Sequence, residues 1–175
     1  NILKKRLSYS KLDMSEPHIM GIININSDSF YKNSQKMDYG SVKKTFEKMQ
    51  RFGASIIDLG GESTRPGSKK ISASEEQDRV IQIIQSLKEH NYKSLISLDT
   101  RNFSTMKKGY RKGVDIINDI TGFNDKKKID FVSKNKVSIV VMHMQRDPEN
   151  MQKNPKYNFA PIDIYKFFQK KINEL

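Results

Sequence analysis

The sequence has 175 residues, of which 35% are hydrophobic and 9% aromatic, with no cysteine and a formal net charge of +12. This length is enough to bury one core, and the composition excludes a disordered chain. No apolar run approaches the roughly 20 residues of a membrane span, and the absence of cysteine excludes both a disulfide framework and a thiolate metal site. We therefore expect a cytoplasmic, globular protein without a membrane partner.

The positive charge raises the question of nucleic-acid binding. The basic residues are mostly lysines spread along the sequence, with one short run at Lys126–Lys128. No motif of a known nucleic-acid-binding module accompanies them. Solvated lysine-rich surfaces are the simpler interpretation, so the sequence predicts no nucleic-acid partner, although a positive field would also attract small anions.

Five short apolar segments, rich in isoleucine and valine, predict strands. They are Ile19–Asn26, Ser55–Gly61, Ser94–Asp99, Asp115–Thr121 and Ser138–Met144. Their lack of alternation is typical of strands that are covered on both faces. Apolar residues at helical spacing predict helices over Val42–Met49 with a stop at Gly53, after a capping box at Ser74–Gln77, at Met106 and Tyr110, at Ile129 and Val132, and after Pro161.

The repeated order of strand and helix implies parallel strands with right-handed crossovers. Either an open doubly wound sheet or a βα barrel would satisfy it. Polar residues gather where the predicted strands end: Asn24, Asn26, Asp58, Glu62, Asp99, Asn118, Asp119 and His143. Barrel enzymes build their sites from such strand ends. We therefore predict an α/β fold in one domain over residues 1–175, and the residues by themselves leave both architectures open.

Five stretches of sequence together resemble the dihydropteroate synthase family of pterin-binding enzymes. They are PHIMGIININSDSF (Pro17–Phe30), GASIIDLGGESTRPGS (Gly53–Ser68), SLDT (Ser97–Thr100), GVDIINDITG (Gly113–Gly122) and VVMHMQRDPENMQKNPKY (Val140–Tyr157). They occur in the family's order and at its approximate spacing. The resemblance implies a (β/α)8 TIM barrel, of which this chain holds about the first five βα units. It also implies a folate-biosynthetic transferase, cytoplasmic and homodimeric, that joins a dihydropterin-methyl diphosphate to p-aminobenzoate and releases diphosphate.

The resemblance also implies roles for individual residues. Thr64 and Arg65 match the residues that contact the substrates' anionic groups, and a hydroxyl and a planar guanidinium suit phosphate oxygens. Asn24 matches the asparagine that holds Mg²⁺ together with diphosphate oxygens. Asp99 and Asn118 match the pterin-binding pair, since a carboxylate and an amide can satisfy both donors and acceptors of a pterin edge.

Further residues have less direct assignments. Asp28 and Phe30 are expected on a first loop that covers the aminobenzoate and excludes water, and with Arg65 they are our catalytic candidates. Asp58 lies one strand position earlier than the acidic residues of the loops, and it is predicted to orient Arg65 or Asn24. His143 is predicted to be a core residue of the last strand rather than a ligand, because a lone histidine among aliphatic residues is usually structural.

The sequence departs from the family in two ways. The Thr-Pro of the family's first loop is Asn26-Ser27 here, and no counterpart of the family's later Asp-Pro-Gly, Ser-x-Lys and Arg-x-His segments is present. We therefore expect the polypeptide as given to be a C-terminally incomplete barrel and inactive alone. Two alternatives remain: the pterin-binding domain of a corrinoid-dependent methyltransferase, and a degenerate, non-catalytic pterin-binding protein.

Overall fold

The computed structural model describes residues 8–25, 39–62, 70–146, 150–151 and 153–175. Seven strands are present in this part of the chain: β1 (Ser8–Tyr9), β2 (Leu12–Asp13), β3 (Ile19–Asn24), β4 (Ala54–Gly60), β5 (Leu95–Asp99), β6 (Ile116–Asp119) and β7 (Ser138–Val141). The helices in the same ranges are α1 (Tyr39–Arg51), α2 (Ala73–Glu89), α3 (Phe103–Arg111), α4 (Lys126–Asn135) and α5 (Ala160–Glu174). All five predicted strands are therefore present.

The order of the strands distinguishes between the two predicted architectures. β3 to β7 form one sheet in which spatial neighbours are also neighbours in sequence, and each pair is parallel. A doubly wound sheet reverses its strand order at a switch point, whereas barrel strands follow one another in sequence. The five strands thus have the order of a barrel, and the predicted α/β class with five βα units is confirmed.

One face of the sheet packs against the helices and forms the main hydrophobic core. Its members include Ile23, Ile57, Leu59, Ile96, Leu98 and Ile117 from the strands, and Phe46, Val80, Ile83, Ile84, Leu87 and Met106 from the helices. Apolar residues three and four positions apart give α1 to α4 residues buried in this core, whereas α5 has no buried residue. We call this the helix face.

The opposite face, which we call the inner face, is covered at its amino-terminal end by the β1–β2 hairpin. Tyr9 and Leu12 of the hairpin pack against Ile56, Leu95 and Ile116. The Tyr9 hydroxyl also donates a hydrogen bond to the backbone carbonyl of Ile139 at 2.7 Å. The hairpin was not predicted from the sequence, because two-residue strands are too short to show a period. It leaves the carboxyl-terminal end of the inner face to polar side chains.

Two local predictions were wrong. The N-cap of α2 is Ser72, whose Oγ accepts a hydrogen bond from the Glu75 amide at 3.1 Å, so the capping pair begins two residues before the predicted Ser74. The last strand ends at Val141 rather than Met144, which places His143 beyond it. Gly53 does end α1 as predicted, with φ of +93°, a conformation that favours glycine.

Candidate functional site

Three predicted site residues lie in one row at the carboxyl edge of the sheet. Asn24 is in register with Gly60, Gly60 with Asp99, and Asp99 with Asn118. Residues in one such row of a parallel sheet project to the same face, so the three polar side chains share the inner face. Gly60 leaves space within the row: a Cβ added there would lie 3.3 Å from Asn24 Oδ1 and 3.5 Å from Asp99 Oδ2. We call Asn24, Gly60, Asp99 and Asn118 the rim row.

Asp58 lies on the same face, one row below the rim row. Its carboxylate Oδ2 accepts a hydrogen bond from Nδ2 of Asn118 at 3.0 Å, and its side chain is buried. Burial raises the pKa of Asp58, and the neighbouring side chains of Ser97 and Asn118 oppose that rise. The sequence had assigned Asp58 to Asn24 or Arg65. In the structure Asp58 contacts Asn118. Arg65 lies outside the described residues, so its contact with Asp58 stays a prediction.

Asp99 supplies the carboxyl group of the rim row, and its pKa is strongly perturbed. Its pKa is raised from 3.8 to about 8, first by burial and then by the negative charges of Asp58, Glu76, Asp119 and Glu62. A carboxyl in these surroundings holds its proton at neutral pH because the charged form is poorly solvated and repelled. Strong perturbation of a group at a strand end is typical of a functional site.

Glu62 and Arg101 form a buried ion pair beside the rim row. The guanidinium contacts both carboxylate oxygens, with Nε–Oε2 at 2.8 Å and Nη2–Oε1 at 2.7 Å. Glu62 Oε1 also accepts a hydrogen bond from the backbone amide of Ile71 at 3.1 Å, and Arg79 Nη1 donates a hydrogen bond to the Gly61 carbonyl at 2.9 Å. These bonds tie together the residues that flank positions 63–69, where the predicted anion-binding side chains occur.

Glu76 is a second buried carboxyl, on the side of α2 that faces Gly61. Its Oε2 accepts a hydrogen bond from Asn102 Nδ2 at 3.1 Å, whereas its Oε1 has no hydrogen-bond partner among the described residues. Burial raises the pKa of Glu76, and the neighbouring side chains of Thr105, Asn102 and Thr100 oppose the rise. The acidic environment of Asp99 thus includes carboxyl groups from α2 as well as from the sheet.

Asp119 does not join the rim row, because consecutive strand residues project to opposite faces. Its carboxylate is buried and paired with the Lys128 ammonium at 2.8 Å. It also accepts the backbone amides of Thr121 and Phe123 at 2.9 and 3.2 Å. Asp119 therefore organises the turn between β6 and α4.

His143 packs among aromatic rings beyond the end of β7. Its ring centroid lies 4.8 Å from that of Phe167 and 5.9 Å from that of Tyr157. The structural role predicted for His143 is supported by these contacts, although the predicted strand location was wrong. The ring therefore connects the segment after β7 to the aromatic residues Phe167 and Phe168 of α5.

Four of the predicted site residues cannot be placed. Asp28, Phe30, Thr64 and Arg65 lie outside the described residues, as do Asn26 and the Pro66-Gly67 turn. Their assignments stay predictions from the sequence.

The donors at the rim row are compatible with Mg²⁺, which prefers oxygen ligands and keeps several waters. The amide oxygen of Asn24 borders the space that the missing Gly60 side chain leaves. Within the described ranges, no group of three or more histidine, aspartate or glutamate side chains could enclose a metal by itself. The arrangement therefore fits an ion held largely by a ligand's own oxygens, with Asn24 as a protein donor.

The sequence interpretation missed Arg101, Glu76 and the Asp58–Asn118 contact. Arg101 lies two residues beyond Asp99 and could have been included among the strand-end residues. Glu76 was interpreted only as part of a helix cap, and nothing local distinguishes it from an exposed helix glutamate. Its burial depends on how α2 packs on the sheet.

The fold and the rim row define the class of protein: an α/β protein whose polar side chains converge at the carboxyl edge of sequential parallel strands. A family model described as pterin binding enzyme matches residues 20–175. This chain therefore belongs to the pterin-binding enzyme family, as the resemblance in the sequence predicted.

Individual relatives agree with the family match. The chain is 37% identical over 163 residues to a dihydropteroate synthase of Haemophilus influenzae, and this covers 93% of the chain and 59% of the relative. The crystal structure of Yersinia pestis dihydropteroate synthase in a sulfonamide drug complex matches with a TM-score of 0.82 and 34% identity, over 93% of this chain and 58% of that one.

A dihydropteroate synthase of Xanthomonas albilineans solved with 4-aminobenzoic acid matches with a TM-score of 0.79 and 28% identity, over 92% of this chain and 56% of that one. The chain thus spans somewhat less than three fifths of the length of these relatives. Within the ranges that the structure describes, no helix is long and apolar enough to cross a membrane.

Proposed function

We propose that this chain carries the pterin-binding part of a dihydropteroate synthase, a transferase of folate biosynthesis. The reaction joins a (7,8-dihydropterin-6-yl)methyl diphosphate to p-aminobenzoate and releases diphosphate and 7,8-dihydropteroate. The rim row is the observation that carries the proposal, because it aligns Asn24, Asp99 and Asn118 on one face. The 37% identity to a dihydropteroate synthase and the relative solved with 4-aminobenzoic acid support the same assignment.

The rim row supplies the groups that a pterin edge requires. A pterin presents amino and ring N–H donors beside ring nitrogen acceptors. Ionised Asp99 would accept from the donors, which couples ligand binding to loss of its proton, and Asn118 offers an amide oxygen together with one N–H that Asp58 does not occupy. Both residues are half-buried, where an unpaired polar group still carries a desolvation cost, so a polar ligand at this edge would offset part of that cost.

The diphosphate is assigned to the other end of the row. Breaking the CH₂–O bond leaves positive charge delocalised into the electron-rich pterin ring, while negative charge develops on the departing diphosphate. Thr64 and Arg65 would donate hydrogen bonds to that anion, and Asn24 would hold a Mg²⁺ ion that the diphosphate oxygens also bind. When bound, Mg²⁺ neutralises part of the diphosphate charge.

The amine of p-aminobenzoate is a weak nucleophile, and water competes with it for the electrophilic CH₂. We assign Asp28 and Phe30 to the exclusion of that water. The ion pair of Glu62 and Arg101, together with the hydrogen bond from the Ile71 amide to Glu62, fixes the residues on both sides of positions 63–69. The homodimer and the cytoplasmic location stay predictions from the family resemblance.

Calorimetric titration of the purified chain tests the proposal. Dihydropterin diphosphate with Mg²⁺ is expected to bind, and p-aminobenzoate is expected to bind only after the dihydropterin diphosphate has bound. D99N should abolish pterin binding, whereas D115N at the opposite edge of the sheet should not. A chain that binds a pterin but never p-aminobenzoate would indicate one of the two alternatives. A chain that binds neither would contradict the proposal.

Turnover is measured separately from binding. Formation of dihydropteroate from the two substrates, followed by chromatography of the product, would support the assigned function.

A further inference from the structure

The contact between Asp58 and Asn118 spans a full strand of the sheet. Asp58 belongs to β4 and Asn118 to β6, and β5 lies between them. Neighbouring strands are about 4.8 Å apart, so the two backbones are separated by about 10 Å. Even so, Asp58 Oδ2 and Asn118 Nδ2 approach to 3.0 Å. The two side chains must therefore extend toward each other above the intervening strand.

A small residue on β5 makes this approach possible. Ser97 is in register with Asp58 and is fully buried, so it lies on the inner face directly between the two strands. A longer side chain at position 97 would occupy the space that the hydrogen bond uses. The contact thus depends on three residues from three consecutive strands.

Packing alone does not explain a carboxylate at this position. The row of Asp58 also contains Ile22 and Ile116, so aliphatic side chains are accommodated on the same level of the inner face. Asp58 is buried, and its Oδ1 has no hydrogen-bond partner among the described residues. A buried carboxylate with an unpaired oxygen costs folding free energy, which a leucine of similar volume would not.

The carboxylate does specify one orientation of the neighbouring amide. An asparagine can rotate by 180° about its terminal bond, which exchanges its oxygen and nitrogen. Rotation of Asn118 would place its Oδ1 against an Asp58 oxygen at hydrogen-bond distance, where two acceptors repel. Only the orientation with Nδ2 toward Asp58 is therefore favourable. It leaves Oδ1 and the second N–H of Asn118 for a ligand at the rim row.

We propose that Asp58 is a positioning residue that fixes the side-chain amide of Asn118 in the orientation that a heterocyclic ligand requires. A planar ligand edge with one N–H donor beside one ring acceptor matches this amide, whereas the rotated amide would oppose donor to donor and acceptor to acceptor. The consequence for pterin binding rests on the proposed function. The orientation itself is a property of the ligand-free protein.

The orientation is tested without ligand by NMR of the full chain. In the wild-type protein, one of the two Asn118 Nδ2 protons is expected to resonate downfield and to exchange slowly with solvent, because it is bonded to a carboxylate. D58L, which retains the volume but removes the acceptor, should abolish this difference. An Asn118 amide that is unchanged in D58L would overturn the proposal. D58N provides a second variant that preserves the polar character of the position.

The effect on binding is tested by a double-mutant cycle with dihydropterin diphosphate as the probe. D58L should weaken binding about tenfold, the factor equivalent to one hydrogen bond of ordinary strength. In the N118A background the same substitution should have no further effect, because the group through which Asp58 acts is absent. An equal loss in both backgrounds would show that Asp58 acts elsewhere and would overturn the proposal.

Stability separates positioning from a structural role. D58L is expected to keep or increase the midpoint of urea unfolding while its ligand affinity falls, whereas loss of a structural residue lowers both. D115N is the matched control: it removes a carboxylate that pairs with Lys88 at 2.5 Å at the opposite edge, and it should lower the unfolding midpoint without changing affinity. If the wild-type chain does not bind the probe, the proposed function fails, and the NMR measurement alone decides the role of Asp58.

Discussion

Replacing Asp99 with asparagine is expected to make the protein less sensitive to alkaline pH. The pKa of Asp99 rises from 3.8 to about 8 on folding, with burial as the largest cause. A group whose pKa is higher in the folded state stabilises the fold below its unfolded pKa, and this stabilisation is lost as pH rises toward the folded pKa. The wild-type protein should therefore lose stability between about pH 4 and pH 8, and D99N should not show this contribution.

The magnitude follows from linkage. A group whose pKa moves from 3.8 to about 8 changes the free energy of unfolding by about 4 kcal/mol between pH 5 and pH 9. The pKa values of Asp58 and Glu76 are also raised by burial, so the wild type and D99N share an additional decline in the same direction. The difference between the two proteins isolates the contribution of Asp99.

Urea unfolding at pH 5 and pH 9, followed by far-UV circular dichroism, measures this difference. D99N should gain on the wild type as pH rises, and it should lose affinity for dihydropterin diphosphate at every pH. D78N removes one negative charge from an exposed position of α2 and controls for net charge. A D99N curve that parallels the wild type from pH 5 to pH 9 would refute the assignment of a buried, repelled carboxyl at position 99.

Three further substitutions test the rest of the site and the core. R101M should lower the free energy of unfolding by about 3 to 5 kcal/mol, because it leaves the Glu62 carboxylate buried without its cation. The double variant E62Q/R101M should recover part of that loss. A change below about 1 kcal/mol for R101M, measured by urea unfolding, would contradict this expectation. G60A should weaken dihydropterin diphosphate binding about tenfold by calorimetry, since the new Cβ lies 3.3 Å from Asn24 Oδ1; unchanged affinity would show that the space is not used. G109A sets the helix propensity of alanine, worth about 1 kcal/mol, against overpacking worth about 1 to 3 kcal/mol, because the new Cβ would collide with Leu98 Cδ2. We expect a lower thermal midpoint, recovered by L98V, and a higher midpoint would contradict the packing.

Much of the fold could be predicted from local patterns. The buried strands contain aliphatic runs, and the helices contain apolar residues at the helical period, so all five sheet strands and the intervening helices were found. Boundaries were less certain: a hydroxyl two residues away also fits a cap, as Ser72 and Ser74 illustrate. The β1–β2 hairpin escaped prediction because its strands have only two residues each.

The candidate site could also be predicted from the sequence only in part. Asn24, Asp99 and Asn118 could be selected because parallel strands bring their carboxyl ends to one edge, and the resemblance indicated which residues at those ends bind ligand. The ion pair of Glu62 with Arg101 could not, since residues 39 positions apart are brought together only by the packing of two strand ends.

The sequence by itself determined which residues become strands and helices and which polar residues follow each strand, because propensity and periodicity act over a few neighbouring residues. The tertiary structure alone decided the register that places Asn24, Gly60, Asp99 and Asn118 in one row. It also decided the partner of Asp58 and the raised pKa of Asp99. Both depend on distances and solvation between separate strands, and these quantities arise only when the sheet assembles.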